Sequence, residues 1–138
     1  MKAKCFCGKV RYHLGSEPLH FINCHCGVCR ALNGSAFTSW LCISSEEFVL
    51  EKGEAMIRTF AASDNITVHF CDECGTRLHS LDKRHEMLIA FPAGITDVSD
   101  KHQPSKDYFY SDRACWSNVF SDLPKFGGSS GIQEMTTG

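Results

Sequence analysis

The sequence predicts an all-β (mainly β) fold built from small antiparallel sheets, on three observations. Short segments alternate apolar and polar residues with a period of two, as half-buried strands do. No window carries an apolar stripe at helical spacing for three turns. The chain is rich in aromatic and β-branched residues between turn signals, which suits a pleated surface.

The elements follow in order. "VRYHL" sets Val10, Tyr12 and Leu14 against Arg11 and His13, a strand half-buried on one face. "SAFTSWLCI" (Ser35 to Ile43), "AMIRTFA" (Ala55 to Ala61), "ITVHFC" (Ile66 to Cys71) and "MLIAF" (Met87 to Phe91) read as further strands. In "SSEEF", Ser44 and Glu47 have the spacing of a capping box, enough for one helical turn before Phe48. A single domain is expected over residues 1–126. From Gly127 onward, "GGSSGIQEMTTG" is small and polar and predicts a flexible tail over 127–138.

At 138 residues the chain is long enough to bury one core. Its 43% hydrophobic and 22% charged content is ordinary for a soluble globular protein. No stretch is long and apolar enough to span a bilayer, so no membrane partner is expected. The N-terminal "MKAKCFCGKV" lacks the apolar core of a secretory signal, and the expected location is cytoplasmic. A formal charge of −2 gives no reason to expect nucleic acid as a partner. Two Zn²⁺ held by seven thiolates would take that charge to about −5, further from a DNA binder. The sequence does not specify an oligomeric state.

Nine cysteines in an odd count, without a signal peptide, argue for reduced thiols over disulfides. Seven fall into three groups: Cys5 and Cys7 in "CFCG", Cys24, Cys26 and Cys29 in "CHCGVC", and Cys71 and Cys74 in "CDECG". The first and third are close pairs followed at once by Gly8 or Gly75. A glycine there can take a positive φ and turn the backbone amides toward the sulfurs. Two such knuckles supply four thiolates, the full set of a closed structural zinc site. That leaves Cys24, Cys26 and Cys29 as three ligands, the number that a catalytic zinc with an open position uses. Cys42 or Cys115 could instead close that second site. A CxxC disulfide remains an alternative, but no βαβ pattern surrounds "CDECG" as it would in a thioredoxin-like protein.

The motifs "CFCGKVRY", "CHCGVCRALNGSAFTSW" and "HFCDECGTRL", in that order and spacing, resemble the glutathione-dependent formaldehyde-activating enzyme family, which also includes centromere protein V. "RACWSNVFSDLPKF" is similar to the family's tryptophan-containing C-terminal segment, so the resemblance extends to Phe126. The resemblance implies an Mss4-like β-tent holding two zinc ions. It assigns Cys5, Cys7, Cys71 and Cys74 to a structural zinc. Cys24, Cys26 and Cys29 fall to the second zinc, where the glutathione thiol is proposed to bind, and these three become the catalytic residues. The implied partners are glutathione or another small thiol and a small aldehyde. The implied reaction is carbon–sulfur bond formation or lysis, with S-hydroxymethylglutathione as the adduct of formaldehyde.

Other residues have weaker claims. Coordination removes the proton from a thiol and holds the sulfur, but a fourth thiolate leaves the centre negative. Arg30, directly after Cys29, is the nearest cation to offset that charge and is the candidate cofactor-binding residue, with a solvated surface charge as the alternative. His25, between two ligands, is expected to point away from the metal, as a surface histidine or an acid–base group. His69 shares a strand face with Thr67 and Cys71, which sets it either beside the ligands or in the core. Trp40 and Trp116 either wall a pocket or fill the core. Cys42 reads as a buried thiol, and Cys115 has no assignment. The competing function is a non-catalytic binding module of the Mss4-like fold, where zinc only holds the sheets together. A basic tail would favour the chromatin version of that module, and this tail has no Lys or Arg. Methionine-sulfoxide reduction would need a catalytic cysteine, and only Cys42 or Cys115 is spare.

Overall fold

A computed structural model describes residues 1–117 and 123–135. In chain order its elements are β1 (Lys2–Lys4), β2 (Arg11–His13), β3 (His20–Cys24), α1 (Gly27–Asn33), β4 (Thr38–Ser44), β5 (Val49–Lys52), β6 (Ile57–Ala61), β7 (Ile66–Cys71), β8 (Arg77–Asp82), β9 (Leu88–Pro92), β10 (Lys106–Tyr108), β11 (Phe126–Gly127) and β12 (Gln133–Glu134). Among the described residues these strands form three sheets: β1-β2-β5, β10-β3-β4-β9-β8-β7-β6, and the pair β11-β12. The described pairings are antiparallel except that of β10 with β3, which is parallel. The fold is thus mainly β, as the alternation predicts.

Each expected strand is present, with trimmed ends where turns intervene. Ser44 does cap a helical turn, the 3₁₀ segment Ser45–Glu47, and its hydroxyl accepts from the Glu46 amide at 3.3 Å. The strands without a clear alternating signal are the short edge pieces β1, β5 and β10, together with β3 and β8. Their partners, more than their own residues, make them strands. Of the segment expected as a tail, 127–135 contains β12 and the end of β11, and residues 136–138 lie outside the described residues. So do residues 118–122 of the "RACWSNVFSDLPKF" motif.

The core lies between the three-stranded sheet and one face of the seven-stranded sheet. Val10, Tyr12 and Leu14 meet Ile43, Leu78, Ile89 and Phe91 there. Alternation sends Leu41 and Ile43 of β4 into the core, while Trp40 and Cys42 turn to the opposite face. β9 repeats the pattern with Ile89 and Phe91 inward, Leu88 and Ala90 outward. Register shifts between Val68 and Phe70, where β8 has the extra residue, so Leu78 and His79 are both buried. His79 then sits among Tyr12, Phe48 and Phe91, and the Tyr12 hydroxyl and His79 Nδ1 share a 3.1 Å hydrogen bond. His69, half-buried, stacks on the buried His79 at 3.8 Å and its Nδ1 bonds the His79 carbonyl, which packs it against the edge of the core. No described helix is long and apolar enough to cross a membrane.

Candidate metal centres and the cavity beside them

The first cluster gathers Cys5, Cys7, Cys71 and Cys74, with one sulfur from each within 4.8 Å of the others. Gly8 and Gly75 both have φ of 76°, so each knuckle turns through a left-handed glycine. In each, the glycine amide bonds back to the first cysteine's carbonyl, Gly8 to Cys5 at 3.0 Å and Gly75 to Cys71 at 2.8 Å. The Val10 amide donates to Cys5 Sγ at 3.3 Å. Cys74 Sγ lies 3.1 Å from the Thr76 hydroxyl. A tetrahedral ZnS₄ with bonds of about 2.3 Å needs sulfurs about 3.8 Å apart. Cys7–Cys71 at 3.8 Å matches that spacing, Cys5–Cys7 at 3.4 Å is somewhat shorter, and all four sulfurs lie within 4.8 Å, so the donor set fits a zinc ion.

The second cluster brings together Cys24, Cys26 and Cys29, again within 4.8 Å. Cys24 ends β3. Cys26 is the N-cap of α1, its sulfur accepting from the Cys29 amide at 3.3 Å. The sequence predicts no helix here, because one of seven residues is too short to show an apolar stripe. Neither Cys42 nor Cys115 joins a cluster: Cys42 stands on the cavity wall described below, and Cys115 is exposed.

The electrostatics of both clusters call for a cation. The Cys29 thiol, against desolvation, helps to bring Cys24 down to about 6, while Cys29 itself is pushed up by Cys24 and by burial. In the first cluster desolvation opposes ionisation of Cys74, yet the Thr76 hydroxyl and nearby amides bring it down to about 6. Cys5 and Cys74 in the first group and Cys24 in the second are thus drawn toward ionisation, while Cys7 and Cys29 beside them are pushed up. A divalent ion removes that conflict, since a coordinating thiol is deprotonated outright. All nine cysteines are free of disulfides, which leaves the CxxC disulfide alternative without support.

His25 corrects an expectation. Its side chain does leave the ligand group, but it is buried at 4% exposure, not on the surface. Its Nε2 bonds Asp107 Oδ1 at 2.9 Å, and its ring packs against Phe37 and Tyr110. The His25 amide donates to the Tyr108 carbonyl at 2.9 Å. β10 thereby clamps the ligand loop from a segment 82 residues away, which no local pattern in "CHCGVC" could reveal. His25 also draws the Asp107 carboxyl below the usual carboxylate range. Arg30 Nε donates to the His25 carbonyl at 3.3 Å, so its guanidinium stays on the ligand loop.

The outer face of the seven-stranded sheet is hollowed into a cavity of about 390 Å³. Its wall includes Cys24, Cys26, Cys29, Trp40 and Cys42. Trp40 is therefore a pocket wall and not core, whereas Trp116 is exposed and is not among the wall residues. Arg77 also faces the cavity, and its Nε is buried without a hydrogen-bond partner among the described residues. Its guanidinium lies 5.4 Å from the Phe70 ring. Arg84, the next cation on the wall, is already held by two 2.9 Å bonds to Asp82. A lone arginine in "CGTRL" carries no signal that would single it out in sequence.

Fold and site together define a small β domain with two cysteine clusters, one of four thiols and one of three beside a cavity. The chain belongs to the glutathione-dependent formaldehyde-activating enzyme family, whose model matches residues 1–112. No curated protein matches it significantly. A crystal structure of a Rhodobacter sphaeroides protein is similar in fold, with a TM-score of 0.63 at 18% identity, covering 78% of this chain and 99% of that one.

Proposed function

We propose that the protein is a zinc-dependent carbon–sulfur lyase-type enzyme of Mss4-like fold. It would join glutathione, or another small thiol, to a small aldehyde, and the reverse reaction would split the adduct. The observation that carries this reading is the three-thiol cluster of Cys24, Cys26 and Cys29, whose residues line a cavity large enough for a ligand. The closed four-thiol cluster has no such opening role and is assigned to structure. Family membership supports the glutathione and formaldehyde chemistry.

A zinc ion bound at the second cluster would lower a thiol's pKa and fix its sulfur in place. The chain's own residues do the rest. Cys24, Cys26 and Cys29 hold the centre. Asp107, through His25, holds the loop that carries two of them. Arg30, anchored on the same loop, offsets the negative charge of clustered thiolates. Arg77 offers its unpartnered Nε–H to a carboxylate of the thiol, since a buried donor left unpaired costs about 1–3 kcal/mol. In the reaction the thiol sulfur bonds to the carbonyl carbon and a proton reaches the carbonyl oxygen, with no change in oxidation state. The free cysteines suit a reducing compartment such as the cytoplasm.

The test is the absorption spectrum of the cobalt-substituted protein before and after glutathione. A sulfur-to-cobalt charge-transfer band that grows with glutathione, and is lost in Cys26→Ser, is the expected result. An unchanged spectrum with four protein ligands at both centres would overturn the enzyme reading and favour a zinc-stabilised binding module.

A further inference from the structure

We infer that the carbon partner taken at the three-thiol site is larger and more apolar than a one-carbon unit: the site accepts thiol adducts of aldehydes with an aliphatic or aromatic side chain. This rests on the reading that Cys24, Cys26 and Cys29 receive a thiol, and it adds the substrate class.

The hollow has a local cause. Cys42, Ala90, Ser80 and Val68 are direct cross-strand partners, forming one row across β4, β9, β8 and β7 on the outer face. The two central strands contribute only alanine and serine to that row, while Trp40, Leu88 and Ile66 rise around it on the same wall. Small residues in the middle and large ones at the rim make a trough in a sheet that would otherwise be flat. The trough runs to Cys24, because Cys24 and Ile22 lie on the same face of β3, and Ile22 is directly opposite Trp40.

Size and polarity both speak against a one-carbon occupant. A carbonyl carbon with its oxygen takes about the volume of one or two waters, at about 30 Å³ each. Most of the 390 Å³ would then be without contacts. With one carboxylate of the thiol at Arg77, the stretch along Ile22, Trp40, Val68 and Leu88 is still unfilled, and the thiol's other carboxylate, its ammonium and its amides would lose hydration against those walls. An alkyl or aryl group loses nothing there and gains apolar burial. The step stays balanced: RSH and R′CHO give RS–CH(OH)R′, the S–C bond forming as the thiol proton passes to the carbonyl oxygen.

The probes are S-methyl- to S-hexylglutathione, which match such adducts less the hydroxyl, titrated calorimetrically into the zinc-loaded protein. Kd should fall about fourfold for each added methylene. Ala90→Leu, which fills the trough, should flatten the series, with zinc content reporting that the variant is folded. S-methylglutathione binding with no gain along the wild-type series would overturn the inference and leave the thiol reading standing. A slope that persists in folded Ala90→Leu would also overturn it. If no member binds and glutathione leaves the cobalt spectrum unchanged, the thiol reading has failed and the inference falls with it. A flat series in a protein that light scattering shows to be dimeric would assign the trough to a second copy of the chain.

Discussion

Cys5 and Cys71 of the four-thiol cluster are buried at 1% and 0% exposure while its Cys7 is exposed and Cys74 half-buried, whereas the three-thiol cluster has Cys24 buried and Cys26 and Cys29 partly open beside a cavity. The first cluster joins positions far apart, with Cys71 lying 64 positions after Cys7, and ties the turn after β1 to the end of β7. The second is drawn from one strand end and one helical turn, within "CHCGVC". Ordering a long loop has a larger entropic cost than ordering a short one, so a metal clip across it adds more stability. Similar chemistry thus serves two ends. One cluster joins the turn after β1 to the end of β7, and the other opens on a cavity.

The largest expected effect breaks this contrast from the structural side. Cys71→Ser should abolish native near-UV circular dichroism, because a structural zinc contributes about 10–16 kcal/mol, comparable with a whole domain's stability. Cys26→Ser should stay folded and lose one of two zinc equivalents by elemental analysis. If Cys26→Ser unfolded as completely, the two clusters would not differ in role.

Acid should probe the core between the sheets. Burial, with a smaller contribution from His69, brings His79 down to about 3. In the unfolded chain a histidine takes up a proton below about 6.5. Between those values the unfolded state binds more protons, so stability falls as pH drops, by about 1.4 kcal/mol per unit below 6.5. Above 6.5 this contribution is constant. A Tyr12→Phe/His79→Phe double variant removes both hydrogen-bond partners together. Its urea midpoint should fall less than the wild type's between pH 6.5 and 5.5, while acid release of metal acts on both alike.

The smallest effect sharpens the contrast at two glycines. Gly75 and Gly34 have φ of 76° and 59°, and a Cβ at either would meet nothing within 4 Å. Gly75→Ala and Gly34→Ala should therefore each cost only backbone strain, about 1–2 kcal/mol. For Gly75 the loss should appear as weaker structural zinc retention under chelator. For Gly34, the C-cap of α1, it should appear as weaker metal binding at the second cluster.

Much of this was legible in the residues themselves. Alternation in "VRYHL" and "ITVHFC" marks half-buried strands because successive side chains point to opposite faces. Cysteine pairs followed by glycine mark knuckle turns because glycine takes a positive φ at little cost, and the φ of 76° at both Gly8 and Gly75 bears this out. The three-thiol group was visible for the same reason: its ligands are neighbours in the chain. Tertiary structure alone decided what surrounds them. His25 is buried because β10 and Tyr110 arrive from more than 80 residues away, and Asp107 meets it by the same route. The trough exists because Ala90 and Ser80 fall opposite one another in a register that neither strand specifies locally. Ligand spacing is a property of a short stretch of chain, while a cavity depends on which side chains distant strands place side by side.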